Sequence, residues 1–270
     1  MTTTTTATTA GSPEDRLMEL LKELHLPGVR HCYSEEGDQA RKESSSYEAY
    51  LLQVLEREQE TRRANRIERF LRDSKLPLEK TLENFDRKRL PRKLDQQVAV
   101  LLDGSFIDRG ENVLAFGNPG SGKTHLLCAI GQELVYKGRR VFFGTCALLV
   151  QQLLVAKRDL KLPRVLKRFS KYEAMILDDI GYVQQSREEM EVLFTFLADR
   201  YERGSVMLTS NLPFSKWEKI FKDPMTTAAV IDRLVHHSVI LELNLPSYRL
   251  ESSKERQKKR DSGKEGGKAA

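Results

Sequence analysis

Residues 113–124 read Val-Leu-Ala-Phe-Gly-Asn-Pro-Gly-Ser-Gly-Lys-Thr: a short apolar run, then GxxxxGK[ST], then a helix-patterned segment from Lys123 to Lys137. A strand that turns through glycines into a helix is the context in which this spacing binds phosphate. In the loop Gly117, Asn118, Pro119, Gly120, Ser121 and Gly122, the glycines would let backbone N–H groups converge on phosphate oxygens, and the helix N-terminus adds partial positive charge. Lys123 would reach the β and γ phosphates of ATP, and the Thr124 hydroxyl would ligate Mg²⁺. The competing reading is a chance glycine-rich turn, which the flanking strand and helix patterns disfavour.

Outward from this loop, short apolar runs alternate with helix-length segments. The runs are Val113 to Phe116, Val141 to Phe143, Met175 to Leu177, Val206 to Leu208 and Val239 to Leu243. Between them lie Lys123 to Lys137, Ala147 to Asp159 with Arg164 to Tyr172, Glu188 to Arg203, and Phe214 to His237 with a break near Asp223-Pro224. That alternation predicts an α/β fold, a five-stranded parallel sheet covered by helices. Met175-Ile176-Leu177-Asp178-Asp179 ends a strand in two carboxylates: Asp178 would hold Mg²⁺, and Asp179 would polarise the water that attacks the γ-phosphate. An Asp-rich turn before Gly181 is the alternative. Thr209-Ser210-Asn211 ends the next strand, where a strand inserted between the two phosphate-site strands would bring Asn211 to orient the water; a simple turn before Pro213 is the alternative. Arg233, in a helix before the last strand, and Arg249, just after it, suit transition-state charge in cis or from a neighbouring subunit, or ordinary surface ion pairs.

The whole chain has 270 residues, 45 Lys/Arg against 39 Asp/Glu, a formal net charge of +6, 39% hydrophobic and 31% charged residues. Such a chain buries a real core, and collagen, disulfide scaffolds and full disorder are excluded. No apolar run is long enough for a membrane span. Cys32, Cys128 and Cys146 are odd in number, lack ligand spacing and point to a reducing, cytoplasmic compartment. His125, His236 and His237 have no carboxylate or Cys companions at ligand spacing and are assigned to packing or surface, Trp217 to the core. GxSxG, HExxH and paired CxxC are absent.

The positive excess is concentrated. Residues 56–93 carry 13 basic and 8 acidic side chains, and residues 251–270 carry seven and four, so the rest is slightly acidic. Helical spacing without Gly or Pro predicts a long basic helix over 46–73 and a shorter one over 14–24. Arg62, Arg63, Arg66, Arg69 and Arg72 are candidates for duplex DNA contact, with Arg62, Arg66 and Arg69 on one face; a solvated face or an oligomerisation surface competes. The expected organisation is a disordered Thr-rich tail over 1–13, a helical region over 14–79 for DNA binding or oligomerisation, an ATPase domain over 80–250 and a basic disordered tail over 251–270.

The order GNPGSGKTHLL, MILDDIGYV, LTSN, IDRL and PSYRL resembles the AAA+ ATPases of the IstB/DnaC group, and within it the IstB-like transposition helper ATPases of insertion sequences. LPGVR at 26–30, SYEAYLLQVLEREQETRRANR at 46–66 and KTLENFD at 80–86 are similar to the N-terminal pieces of that family, so the likeness runs over nearly the whole chain. The resemblance implies a P-loop AAA+ (ASCE) domain using ATP and Mg²⁺. Gly117–Thr124 would be the Walker A loop, Asp178 and Asp179 the Walker B acids, and Asn211 sensor 1. Arg233 would be an arginine finger acting in trans, and Arg249 a sensor-2 arginine. It also implies a homo-oligomer that assembles on duplex DNA without strong sequence preference, remodels or marks a target, and stimulates a DDE-type transposase. A DnaC-like helicase loader is the alternative; a decayed, inactive scaffold is disfavoured because every motif residue is intact. Two departures stand out. Asp179 replaces the usual glutamate, which predicts slow basal hydrolysis, and the short chain after Leu250 predicts an absent or vestigial lid.

Overall fold

The structure is a computed structural model that describes residues 12–181, 186–221, 223–248 and 250–251. The chain divides into two compact units, residues 1–69 and 70–270.

The first unit is helical. α1 (Pro13–Glu23) opens with a reciprocal Ser12–Asp15 capping box and a proline in its first turn, where the missing N–H costs nothing. α2 (Pro27–Glu43) uses the same proline device, and Ser44 ends it in the left-handed conformation. α3 (Tyr47–Ser74) is the long basic helix, its last turn belonging to the second unit. The apolar core here is small: Leu21, Val29 and Val54, with Met18, Leu26, Cys32, Tyr33 and Tyr50 packed around it.

A buried carboxylate supplements that core. Glu58 Oε2 accepts the first free amides of α2, Gly28 N–H at 2.6 Å and Val29 N–H at 3.1 Å. Its Oε1 accepts from Arg62 Nε at 2.7 Å, and another Arg62 nitrogen donates to His25 O at 2.8 Å. A methyl group at Gly28 would sit 2.8 Å from the Glu58 carboxylate, which is why glycine stands there. Burial pushes the Glu58 carboxyl up, but the Arg62 hydrogen bond, the two amides and the Arg62 charge outweigh it, leaving the group below its ordinary value. A folded-state value below the unfolded one gives stability that is present above the ordinary carboxylate range and lost as pH falls through the depressed value. Glu58→Ala leaves two buried amides unpaired and should cost the first unit about 2 kcal/mol. The expected readout is faster amide hydrogen exchange in α1 and α2 at neutral pH, with the acid sensitivity of that protection removed; unchanged exchange would show that Glu58 does not hold α2.

The second unit is the α/β domain. α4 (Arg92–Asp103) and the single turn α5 (Ser105–Asp108) lead into β1 (Asn112–Gly117), followed by α6 (Lys123–Tyr136), β2 (Val141–Thr145), α7 (Cys146–Arg158) and α8 (Leu162–Phe169). Then come β3 (Ala174–Ile180), α9 (Arg187–Arg200), β4 (Ser205–Ser210), α10 (Glu218–Phe221), α11 (Pro224–Val235) and β5 (Ser238–Leu243). All strands are parallel, in the order β2-β3-β4-β1-β5, so β4 lies between the strand that feeds the phosphate loop and the strand that ends in the two acids. The expected break near Asp223-Pro224 separates α10 from α11, Asp223 capping the new helix through Thr226 N–H. α4 and α6 cover one face of the sheet, and α7, α9 and α11 pack with one another over the other. Side chains alternate along each strand, so Leu114, Met175, Leu177, Val206 and Leu208 feed the α7–α11 core, while Ile176 and Val141 meet α6 at Gly131.

Arg200 is buried in this domain and bonded to backbone carbonyls. Its guanidinium donates to Phe169 O, Tyr172 O, Glu173 O and Ser205 O at 2.7–3.2 Å, and burial lowers its pKa to about 10. It ties the end of α8 to the starts of β3 and β4, at the edge opposite the strand ends that carry the acids. Among the described residues, no helix is long and apolar enough to cross a membrane. The residues after 251, where the lid is expected to be absent or vestigial, lie outside the described residues.

Candidate functional site

The C-terminal ends of β1, β3 and β4 converge on the loop 117–122, as open parallel sheets place their ligands. Gly117 leaves β1 at φ +150°, where a methyl group would lie 2.2 Å from Leu243 O; only glycine lets β5 back the loop so closely. Lys123, the first residue of α6, is buried and donates from Nζ to Gly117 O (2.8 Å), Asn118 O (2.9 Å) and Asn211 Oδ1 (2.6 Å). The Thr124 hydroxyl donates to Asp178 Oδ1 at 2.7 Å, so the two expected Mg²⁺ ligands meet in space although 54 residues apart. Asp178 is buried, and Thr209 Oγ1 donates to the same Oδ1 at 2.7 Å. Asp179 is exposed and lines the cavity with Asn211.

Asp179 gets there through an irregularity. β3 and β4 run in register at Leu177↔Leu208 and resume at Ile180↔Ser210, so β3 holds one extra residue. Asp179 sits at φ +58°, a left-handed conformation costing a non-glycine residue about 1–2 kcal/mol, and its N–H, withdrawn from the ladder, donates to Thr209 Oγ1 at 2.8 Å. Bulges re-aim side chains in this way beside active sites.

The cavity has a volume of about 420 Å³. Its inner half is the phosphate loop, where Ser121 Oγ is buried and, among the described residues, has no hydrogen-bond partner. Hard oxygen donors at Thr124 and Asp178, and that unanswered hydroxyl, fit a magnesium-bound triphosphate. The outer half is made by Lys80, Asn84, Phe85, Asp86 and Arg89 from one side and Leu245 and Tyr248 from the other. Motif reading did not assign these outer residues to the site. The segment 77–86 has no helical or strand period, and α6 holds it: Gln132 donates to Pro77 O and Lys80 O, His125 bonds Thr81 O, and the His125 ring meets Phe85 edge-on. The strap after β5 is fastened by Tyr248 N–H donating to Gly120 O at 3.0 Å. Arg89 holds it from outside, donating to Pro246 O at 3.1 Å and to the Glu251 carboxylate at 2.6 Å with its guanidinium over the Tyr248 ring. A methyl group on Gly120, at φ +80°, would meet Ser247 Oγ at 2.2 Å. Gly120→Ala should therefore push the strap off and weaken nucleotide binding roughly tenfold, given the strain of an L residue there; isothermal titration with ATP tests this, and unaltered affinity would show the strap is not part of the site.

Other candidates lie elsewhere. Arg233 stays outside the cavity: its guanidinium is 4.8 Å above the Phe194 ring, and Nη1 donates to Ala229 O on its own helix. Arg249 lies outside the described residues. Arg62 is bonded within the first unit to Glu58 and His25, and Arg63, Arg66, Arg69 and Arg72 are, like it, exposed along α3.

A GxxxxGK[ST] loop between β1 and α6, an acid-ended β3 and an inserted β4 with a polar tip make this a P-loop AAA+ ATPase. Solved structures with the same fold include DnaI, with a TM-score of 0.52 and 21% identity over 62% of this chain and 94% of that one. Another is the replication initiator DnaA bound to AMPPCP and single-stranded DNA, with a TM-score of 0.53 and 20% identity over 68% of this chain and 56% of that one. The model of the IstB-like ATP binding protein family matches residues 19–256, and the chain belongs to that family. Relatives described as candidate insertion-sequence ATP-binding proteins include one from Sinorhizobium fredii, 41% identical over 92% of this chain and 83% of its own length. Others are those of IS5376 from Geobacillus stearothermophilus, 37% identical over 91% and 98%, and of IS21 from Pseudomonas aeruginosa, 38% identical over 87% and 89%.

Proposed function

We propose that this ATPase is a cytoplasmic transposition helper: it binds ATP with Mg²⁺, forms a homo-oligomer on duplex DNA, and presents a remodelled or selected target to a partner transposase of the DDE type. The observation that carries this is the pairing of a complete phosphate site with relatives described as insertion-sequence ATP-binding proteins across nearly their whole length. Thr124 and Asp178 would hold the Mg²⁺, which neutralises phosphate charge when bound. Asp179 polarises the attacking water, and Asn211, now bonded to Lys123, orients it once phosphate takes the lysine. Arg233 sits away from its own chain's cavity, which suits an arginine that serves a neighbouring subunit, and Arg249 is the second candidate for that charge. The short side chain of Asp179 supports slow basal turnover.

Exposed Arg63, Arg66, Arg69 and Arg72 on α3 supply phosphate-neutralising charge for DNA. Arg63→Ala with Arg66→Ala should lower the slope of log affinity against log salt by about 0.9 per lost contact while ATP binding is retained. An unchanged slope would move DNA contact off this helix. The direct test is sedimentation with random-sequence duplex, with and without ATP, for wild type and Asp179→Asn. Assembly that requires ATP and DNA and is locked by Asp179→Asn is the expected result. Failure of every form to assemble on DNA, with capture of a hexameric helicase instead, would make it a helicase loader.

A further inference from the structure

Two adjacent carboxylates at a strand end would ordinarily point to opposite faces of the sheet. Here both reach one site, and a single side chain on the neighbouring strand touches the backbone or carboxylate of each. Thr209, fully buried on β4, donates its hydroxyl hydrogen to Asp178 Oδ1 at 2.7 Å and accepts the Asp179 N–H on the same oxygen at 2.8 Å. Asp178 Oδ1 also takes the Thr124 hydroxyl, so an unbroken chain of hydrogen bonds runs Thr124, Asp178, Thr209, Asp179 across three elements. The Asp179 amide is the group that the extra residue in β3 removes from the ladder, and Asp179 sits in the left-handed conformation that the bulge demands. A hydroxyl can donate and accept at one atom, which an aliphatic side chain of the same shape cannot. Thr209 also stands two residues before Asn211, which lies just past the end of β4 and is bonded to Lys123.

We propose that Thr209 is the positioning residue of the ATPase reaction, setting the orientation of the Asp178 carboxylate for Mg²⁺ and stabilising the bulge that turns Asp179 into the cavity. It is fully buried and acts through the two acids. Because a buried hydroxyl bonded on both sides is part of a cooperative network, its loss affects both acids together. The inference rests on the reading of Asp178 as metal ligand and Asp179 as the acid that polarises water.

The test uses the full chain with Thr209→Val, Thr209→Ser and Thr209→Cys, measuring steady-state hydrolysis and the affinity of a fluorescent ATP analogue in EDTA and in Mg²⁺. For Thr209→Val we expect affinity in EDTA within about twofold of wild type, a smaller gain on adding Mg²⁺, and kcat down by about 30-fold with KM within about threefold, a fraction of what a positioned base contributes. Thr209→Ser should restore kcat to within about threefold and recover the Mg²⁺ response, since the hydroxyl is what matters. Thr209→Cys, similar in size to serine but a poor donor, should remain impaired; this pair decides the matter even where Thr209→Val does not fold. Equal kcat and Mg²⁺ response in the Ser and Cys variants would overturn the proposal, as would an affinity loss in Thr209→Val of the same size with and without Mg²⁺. Wild-type turnover in Asp179→Asn would instead dispose of the underlying reading of Asp179, whatever the threonine variants do.

Discussion

Lys123→Ala is expected to lower ATP affinity about a hundredfold and to abolish measurable hydrolysis. The ammonium is buried at the start of α6, with Gly117 O, Asn118 O and Asn211 Oδ1 within 2.6–2.9 Å. These are neutral acceptors, so a triphosphate that enters the loop offers the lysine stronger, charge-assisted partners in a site partly closed to water. Loss of such contacts is worth about 3 kcal/mol, and each 1.4 kcal/mol is a factor of ten in affinity. Turnover falls further than binding, because the ammonium also faces the charge that shifts among the phosphate oxygens in the transition state. Titration with a fluorescent ATP analogue checks the first part; binding within threefold of wild type would mean that the lysine does not meet phosphate.

Trp217→Ala is expected to produce the largest loss of stability, about 4 kcal/mol, in the range for deleting a fully buried large aromatic side chain. Trp217 is completely buried, with Phe116, Phe214 and Phe221 around it at centroid distances of 5.0–6.2 Å, and its indole N–H donates to Leu212 O at 3.1 Å. Phe116 immediately precedes the phosphate loop and Leu212 immediately follows Asn211, so the cavity left by the truncation opens beneath both. For a domain of this size the expected fall in Tm is about 10 °C. Circular dichroism must follow it, because Trp217 is the only tryptophan in the chain. Trp217→Phe should retain most of the packing and lose the bond to Leu212, a smaller cost near 1 kcal/mol. Equal melting of wild type and the alanine variant would show that this aromatic cluster does not hold the strand ends.

The parts of this molecule that were legible from the sequence are those written in short-range patterns. The loop 117–124 and the acids after Met175-Ile176-Leu177 carry their context beside them, and five apolar runs correspond to the five strands. β4 does lie between β1 and β3, the position supposed for the strand that ends in Thr209-Ser210-Asn211. What escaped reading depends on distant partners. α2 was not anticipated because Pro27-Gly28 reads as a stop; it is a start because Glu58, thirty residues later, takes the amides that the proline turn leaves open. Arg62 reads as one of a row of surface cations, yet it closes the α1–α2 turn through His25 O. The outer wall formed by Phe85 and Arg89 has no periodicity of its own, and only α6 and the strap after β5 give it a position. The extra residue at Asp179 is invisible in the text Leu-Asp-Asp-Ile because a bulge is a relation between two strands.

The sheet order has a consequence for how the protein comes into being. β1 is complete by residue 117, but its two neighbours in the sheet are β4, at 205–210, and β5, at 238–243. Pairings this distant along the chain form late, since the intervening loop must be closed before any contact rewards it. The wall behind Gly117 is Leu243, and the latch on Gly120 is Tyr248. A ribosome therefore carries the phosphate-loop sequence from residue 124 until residue 243 without a nucleotide site behind it. A product cut short before β5 would hold every residue of the motif and lack the wall that shapes it, so the capacity to bind nucleotide arises only once translation has passed the last strand.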